Sequence, residues 1–208
     1  MKFFIARNRR FLAISILFVA LLSARVGATL YAADTRSLSY SPHATAAPAP
    51  VEGSHISITT SHNAGEQITL NIKISEEAAD QQAWVDLNGN KICDEGEIVS
   101  EYGKALQYTV SGQMINVYGS IIEFDCSDNA LTAIDLSACP SLLELYCLNN
   151  DLTTLDLSQC GAISILDCSF NQLTSLLLPS SKPLTALVCS NNKLSKLDLS
   201  SSHDLQRL

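Results

Sequence analysis

The sequence predicts a mainly β chain: a short horseshoe solenoid with a parallel concave sheet, preceded by a small β-rich capping domain. Three observations carry this. Cysteine recurs at Cys126, Cys147, Cys168 and Cys189, with asparagine three positions later at Asn129, Asn150, Asn171 and Asn192. Leucine or isoleucine holds the same phase throughout, as in Ile121, Leu142, Ile163, Leu184 and Leu205, so the period is 21 residues and no column slips. Upstream, Gln67 to Ile74 alternates apolar and polar over eight residues, which is the period of a half-buried strand. A fixed period of this length means that each unit cannot bury its apolar side alone and stacks on its neighbours.

The chain opens with Lys2, Arg7, Arg9 and Arg10, an apolar run from Phe11 to Leu22, and small residues around Val26-Gly27-Ala28. A basic end, a short apolar core and a cleavable region make residues 1–28 a secretory signal peptide. The run falls short of the roughly 20 residues that a membrane span needs. Loss of residues 1–28 removes five of the 13 basic residues and none of the 21 acids, giving a mature charge of −13. That balance argues against nucleic acid and against anionic membrane as partners. Residues 29–53 are rich in Ser, Ala and Pro, including Ala46-Ala47-Pro48-Ala49-Pro50, and read as an extended linker.

Residues 54–118 read as a small β domain. Strands are expected at Ile56 to Thr59, Gln67 to Ile74, Ala83 to Val85, Leu106 to Val110 and Met114 to Tyr118. Asn63-Ala64-Gly65 supplies one turn, and Ser111-Gly112 reads as the hairpin turn before the fifth strand. Placed ahead of a solenoid, this domain is expected to cover the first coil's apolar interior.

Residues 119–208 hold four full units and the start of a fifth. In Leu142-Leu143-Glu144-Leu145-Tyr146-Cys147, Leu145 and Cys147 alternate inward while Glu144 and Tyr146 point outward, as a short strand requires. Each asparagine ends its strand and is placed to satisfy backbone groups of its own turn and the neighbouring one. Leu152, Leu155 and Leu157 fill the back of the coil, which with 21 residues per turn is expected to be extended or a short 3₁₀ turn. Cys126, Cys147, Cys168 and Cys189 form one inward ladder, and Cys139 and Cys160 another. In-register parallel strands aim such side chains alike rather than at each other, so these are read as reduced, inert core thiols.

The unit pattern L-x-x-L-x-C-x-x-N-x-L-x-x-L-D-L-S resembles a leucine-rich repeat, specifically the internalin-like variant with a cysteine in the strand. It is equally similar to secreted repeat surface proteins of Gram-negative anaerobes that carry C-S-x-N-x-L-T-x-L-D-L-S. Those relatives also carry a T-T-S…G run and a W-[IV]-D-x-N-G-N segment, matched here by Thr59-Thr60-Ser61 with Gly65 and by Trp84 to Asn90. The repeat resemblance covers residues 121–208, under half of the chain. The N-terminal cap of the internalins proper is helical, so the β segment here favours the Gram-negative relatives. The resemblance implies a secreted or cell-surface adhesin, on the exterior of a Gram-negative outer membrane, that binds host or partner proteins through its concave face. It also implies that further repeats and a C-terminal sorting domain follow in the relatives. Here Leu205 and Leu208 begin a fifth unit without a polar capping repeat, so self-association through an open C-terminal repeat is a further expectation.

In this register the outward positions of the concave sheet are the third, fifth, seventh and eighth of each unit. They place Glu123, Asp125, Glu144, Tyr146, Leu148, Ile165, Asp167, Phe170 and Val188 as the expected partner-binding face. An apolar group with an acidic rim suits a protein partner, with aromatics as anchors. The competing expectation is a structural spacer or scaffold segment of a larger surface protein, with Leu148 and Phe170 merely packing over the turns.

One segment has the spacing of a metal loop. Asp86, Asn88, Asn90, Ile92 (through its carbonyl), Asp94 and Glu97 fall at positions 1, 3, 5, 7, 9 and 12 of an oxygen-ligand loop, a spacing suited to a structural Ca²⁺. Position 6 holds Lys91 where such loops place glycine, and an acidic β-turn is the plainer reading. No catalytic constellation accompanies it. His43, His55, His62 and His203 lie at no metal-ligand spacing, and there is no G-x-S-x-G, phosphate loop or H-E-x-x-H. The sequence therefore predicts no enzyme. Trp84 alone hints at a carbohydrate platform, and a core tryptophan is the stronger expectation.

Overall fold

The computed structural model describes residues 54–78, 82–180 and 184–207. The expected signal peptide, residues 1–28, and the Ser/Ala/Pro-rich stretch, residues 29–53, lie outside the described residues. In chain order come β1 (His55–Thr60), β2 (Gln67–Ile74), a 3₁₀ turn (Glu76–Ala78), β3 (Trp84–Asp86), β4 (Ala105–Thr109) and β5 (Met114–Tyr118). The repeats supply β6 (Ile121–Asp125), β7 (Leu131–Asp135), β8 (Glu144–Tyr146), β9 (Thr154–Asp156), β10 (Ile165–Asp167), β11 (Ser175–Leu177) and β12 (Ala186–Val188). The five strands expected before residue 119 are all present.

Each of the first three repeats makes two strands, one on the front of the coil and one on the back, and the fourth makes a front strand. On the front, β6, β8, β10 and β12 pair in parallel with a register of 21 residues: Glu123 opposes Glu144, Glu144 opposes Ile165, and Ile165 opposes Ala186. On the back, β9 and β11 pair in parallel with the same step, Thr154 against Ser175. The convex side is thus extended. The result is a β-solenoid whose interior is filled by the recurring columns. In the second unit Leu142, Leu145, Cys147, Leu152, Leu155, Leu157 and Cys160 are all buried. Each buried leucine contributes about 1.5–3 kcal/mol of apolar transfer.

The back corner of each coil is fixed by the D-L-S part of the motif. Asp135 Oδ1 accepts the Ser137 N–H at 2.9 Å, and Asp156 Oδ1 the Ser158 N–H at 2.8 Å, a side-chain turn that bends the chain inward after the strand. The third unit departs from this: Leu177 stands where the others hold aspartate, and it is exposed.

The N-terminal β segment forms two layers in line with the solenoid. β2 pairs antiparallel with β4 on one side and with β6 on the other, so the front sheet is six-stranded in the order β12-β10-β8-β6-β2-β4. β1 pairs antiparallel with β5 and with β7, giving a back sheet in the order β3-β5-β1-β7. One expectation is corrected here. Ser111-Gly112 does not close a hairpin, because β4 lies in the front sheet and β5 in the back. The physical reason is that their apolar faces, Tyr108 from one and Ile115 and Val117 from the other, meet across the core instead of lying side by side. The chain returns from back to front at Gly119, where φ is +139° and an added Cβ would stand 2.9 Å from that of Ala83. Only glycine fits that crossing.

Candidate functional site

The front sheet brings seven of the nine expected face residues onto four neighbouring strands: Glu123 and Asp125 on β6, Glu144 and Tyr146 on β8, Ile165 and Asp167 on β10, Val188 on β12. All seven are half-buried, as side chains standing on an uncovered sheet should be. Parallel in-register pairing turns them into two rows. One runs Glu123, Glu144, Ile165, Ala186, and the other Asp125, Tyr146, Asp167, Val188. Neighbouring members lie about 4.8 Å apart.

Both rows continue into β2. Lys73 opposes Glu123, and Asn71 opposes Asp125. Lys73 Nζ donates to Glu123 Oε2, and this bond, with the Glu123 and Glu144 charges, holds the ammonium above its ordinary pKa. The Tyr146 hydroxyl donates to Glu144 Oε2 at 2.8 Å. Burial first, then that bond and the carboxylates of Glu144, Glu123 and Asp125, push the phenol up to about 12, so it stays a neutral donor. Lys73 and Asn71 were not among the sequence candidates. The signal was in the alternation of Gln67 to Ile74, whose polar members Thr69, Asn71 and Lys73 share one face. What was missing was that β2 pairs with the first repeat strand.

Leu148 and Phe170 are not on the sheet but at the turn edge that follows it. There the eighth residue of each unit adopts a left-handed backbone: Asp128 at φ 60°, Asn149 at 52°, Phe170 at 54° and Asn191 at 55°. Asp and Asn tolerate that region because their short side chains bond locally, while a bulky residue is rarely found in it. Phe170 is 56 % exposed, and Leu148 is half-buried.

The next position does the opposite. Asn150 Oδ1 accepts the N–H groups of Asn129 and Leu131 at 3.1 and 2.9 Å, and its amide donates to the carbonyls of Cys126, Cys147 and Leu148 at 3.1–3.2 Å. Asn171 repeats this between the second and third units. At the N-terminal end, Asn129 meets β2 instead: its Oδ1 accepts the Thr69 N–H at 2.8 Å and its amide donates to the Thr69 carbonyl at 2.7 Å. This ladder makes the turn edge rigid.

The acidic loop after β3 closes on itself. Asp86 is fully buried; its Oδ1 accepts from Gly89 N at 2.7 Å and Asn90 N at 3.1 Å, and its Oδ2 from Lys91 N at 3.1 Å. Glu97, also buried, accepts from Leu87 N and Asp94 N at 2.8 Å. Asn90 Oδ1 accepts Ile92 N at 2.7 Å, and the amides of Asn88 and Asn90 both donate to Asp94 Oδ2 at 2.8 Å. Lys91 takes φ 61°, the conformation that glycine usually supplies at that position. The six expected ligand residues are therefore in one loop, with their carboxylates accepting backbone and amide N–H groups. Among the described residues no three His, Cys, Asp or Glu side chains come together as a metal-holding group.

All seven cysteines are free thiols. Burial raises Cys139 to about 11 and Cys160 and Cys168 to about 12, and holds the fully enclosed Cys126 and Cys147 well above the ordinary thiol range. Trp84 is 1 % exposed and stacks on Tyr118 with ring centroids 4.4 Å apart, so its ring is core and offers no platform to a sugar.

Fold and face together define a β-solenoid repeat protein with 21-residue units and an acidic, aromatic-bearing front sheet. Compared with protein-family models, curated proteins and solved structures, the chain matches none of them.

Proposed function

We propose that this chain is a leucine-rich-repeat protein of the internalin-like kind, secreted or held at the exterior of a Gram-negative cell, that adheres to host or partner proteins through its front sheet. The single observation that carries this reading is Phe170. Three of the four units place Asp or Asn at the left-handed turn position, and the third places a bulky aromatic there, more than half exposed. Backbone strain and apolar exposure both lower folding stability, so a ligand-binding role accounts for the residue better than a packing one. The half-buried Tyr146, Ile165 and Val188 lie on the adjoining sheet. Residues 54–118 would act as the N-terminal cap, which the bonds between Thr69 and Asn129 support. We read the chain as a binding module and not as an enzyme.

The test uses the secreted chain and its Tyr146→Ala/Phe170→Ala double variant, with binding to host cells and to immobilised matrix proteins as the readout. The expected outcome is at least a tenfold loss of binding by a double variant whose circular dichroism is unchanged. Full binding by the folded variant overturns the front-face reading. A wild-type chain that binds nothing would favour the spacer alternative.

A further inference from the structure

We infer that two copies of this chain join through β4, strand against strand, so that their front sheets become one continuous sheet. The first argument is where the backbone of β4 points. Thr69 turns its N–H and carbonyl toward Asn129, on the β6 side of β2, so its neighbours Ile68 and Leu70 bond to Tyr108 and Leu106 of β4. Val110 keeps the same phase, donating its N–H to the Glu66 carbonyl at 2.9 Å. By the alternation of an antiparallel ladder, Ala105, Gln107 and Thr109 then direct their N–H and carbonyl groups off the sheet. No strand takes them among the described residues. The outer sides of β3 and β12, by contrast, are occupied. Val85 N–H donates to the Glu97 carbonyl and Val99 N–H to the Ala83 carbonyl beside β3, and Leu187 N–H to the Arg207 carbonyl beside β12.

The second argument is that this edge is undefended and self-complementary. Sheet edges that must stay unpaired usually carry lysine, proline or a bulge. β4 holds none of these between Ala105 and Thr109, and both of those residues and Gln107 are exposed. A two-fold axis at Gln107 sets Ala105 opposite Thr109 of the second copy and Gln107 opposite itself, each pair exchanging two backbone bonds. On the core side the half-buried Leu106 comes to lie against Tyr108 of the second copy. Charge permits approach at this end of the sheet. The chain carries a net −8, so copies repel in general. The outward residues that flank the axis are all neutral: Ala105, Gln107 and Thr109, with Asn71, Thr69 and Gln67 opposite them on β2. The acids of the front face begin only at β6. A dimer built this way carries two front faces on one surface and, where that face binds as proposed, gains avidity for a repetitive partner.

The experiment is sedimentation equilibrium of the secreted chain, carried to about 0.5 mM because an interface of one strand pair is small. The proteins are the wild type, Gln107→Lys, Gln107→Glu, and a Thr154→Lys control that adds a charge on the exposed side of β9. The wild type is expected to approach twice the monomer mass. Gln107→Lys and Gln107→Glu each set like charges face to face at the axis, and should associate at least tenfold more weakly with unchanged circular dichroism. Thr154→Lys should associate as the wild type does. An equimolar mixture of Gln107→Lys with Gln107→Glu should regain the association, since opposite charges then meet at the axis. A chain that stays monomeric throughout overturns the inference, even where the Gln107 N–H is protected from hydrogen exchange, which would assign the edge to another segment of the same chain. Association as strong in both Gln107 variants as in the wild type also overturns it and places self-association elsewhere. So does a mixture that associates no better than its separate components.

Discussion

Two adjacent columns of the repeat, the eighth and ninth positions, follow opposite rules. The ninth is Asn129, Asn150, Asn171 and Asn192, and each amide joins its own turn to a neighbouring layer. The eighth is Asp128, Asn149, Phe170 and Asn191, a column whose side chains point to solvent. One column is saturated with hydrogen bonds and admits a single residue type. The other is constrained only by its left-handed backbone, and it carries the one residue that fits that backbone poorly. The lesson is that the coil leaves freedom on its surface only where no neighbouring layer depends on the side chain. Exceptions in such a column are therefore where function is to be sought.

The strongest test of this contrast is Asn150→Ala. It orphans two N–H groups and the Cys126 carbonyl at a buried turn, while the Cys147 and Leu148 carbonyls keep the Asn171 amide and the Asp128 N–H, at a cost of about 3–5 kcal/mol. One position earlier, Asn149→Ala should cost much less, since its recorded side-chain bond is a single exposed one to Asp128. Urea unfolding of the two variants measures the difference. Comparable losses would mean that the turn edge is held by something other than the ninth-position amides.

A second test separates inward from outward columns by pH. The Cys147 thiol is enclosed, and burial lifts it well above the value near 9 at which an unfolded thiol ionises. A raised folded pKa means that the stability owed to the neutral thiol is present in full below pH 9 and is lost as pH rises beyond it. By pH 10 the loss is about 1.4 kcal/mol for one thiol. Cys147→Ala, less stable at neutral pH because of the cavity, should lose about that much less than the wild type between pH 8 and pH 10 in reducing buffer. Identical slopes would show that the ladder is not protected from solvent.

Much of this organisation was legible in the sequence because a 21-residue period reports inward and outward positions without knowledge of the partner strand. The front strands, the asparagine turns and the five earlier strands follow from that period and from alternation. What alternation does not report is pairing. Gln67 to Ile74 reads as a strand in any sheet, so its place beside β6, and the arrival of Lys73 opposite Glu123, depended on a contact 50 residues away. The supposed hairpin at Ser111-Gly112 failed for the same reason, since a turn signal marks a reversal and not the sheet to which the chain returns. The face residues were named by column. Phe170 was among them as an aromatic anchor; its left-handed backbone was not legible.

The finest prediction concerns Phe170. Replacing it with asparagine restores the residue type that Asn149 and Asn191 hold at the same backbone angles. The change removes an exposed aromatic and relieves a left-handed strain of about 1 kcal/mol, so Phe170→Asn should be slightly more stable than the wild type. Under the proposed function it should also bind its partner more weakly. A gain in unfolding midpoint with a loss of affinity would mark the residue as kept for binding at the expense of folding. If the variant is destabilised, Phe170 packs on something that stabilises the fold, and the turn edge is structural. If it is stabilised and affinity is unchanged, the partner lies on the sheet alone, and Tyr146 becomes the anchor to test next.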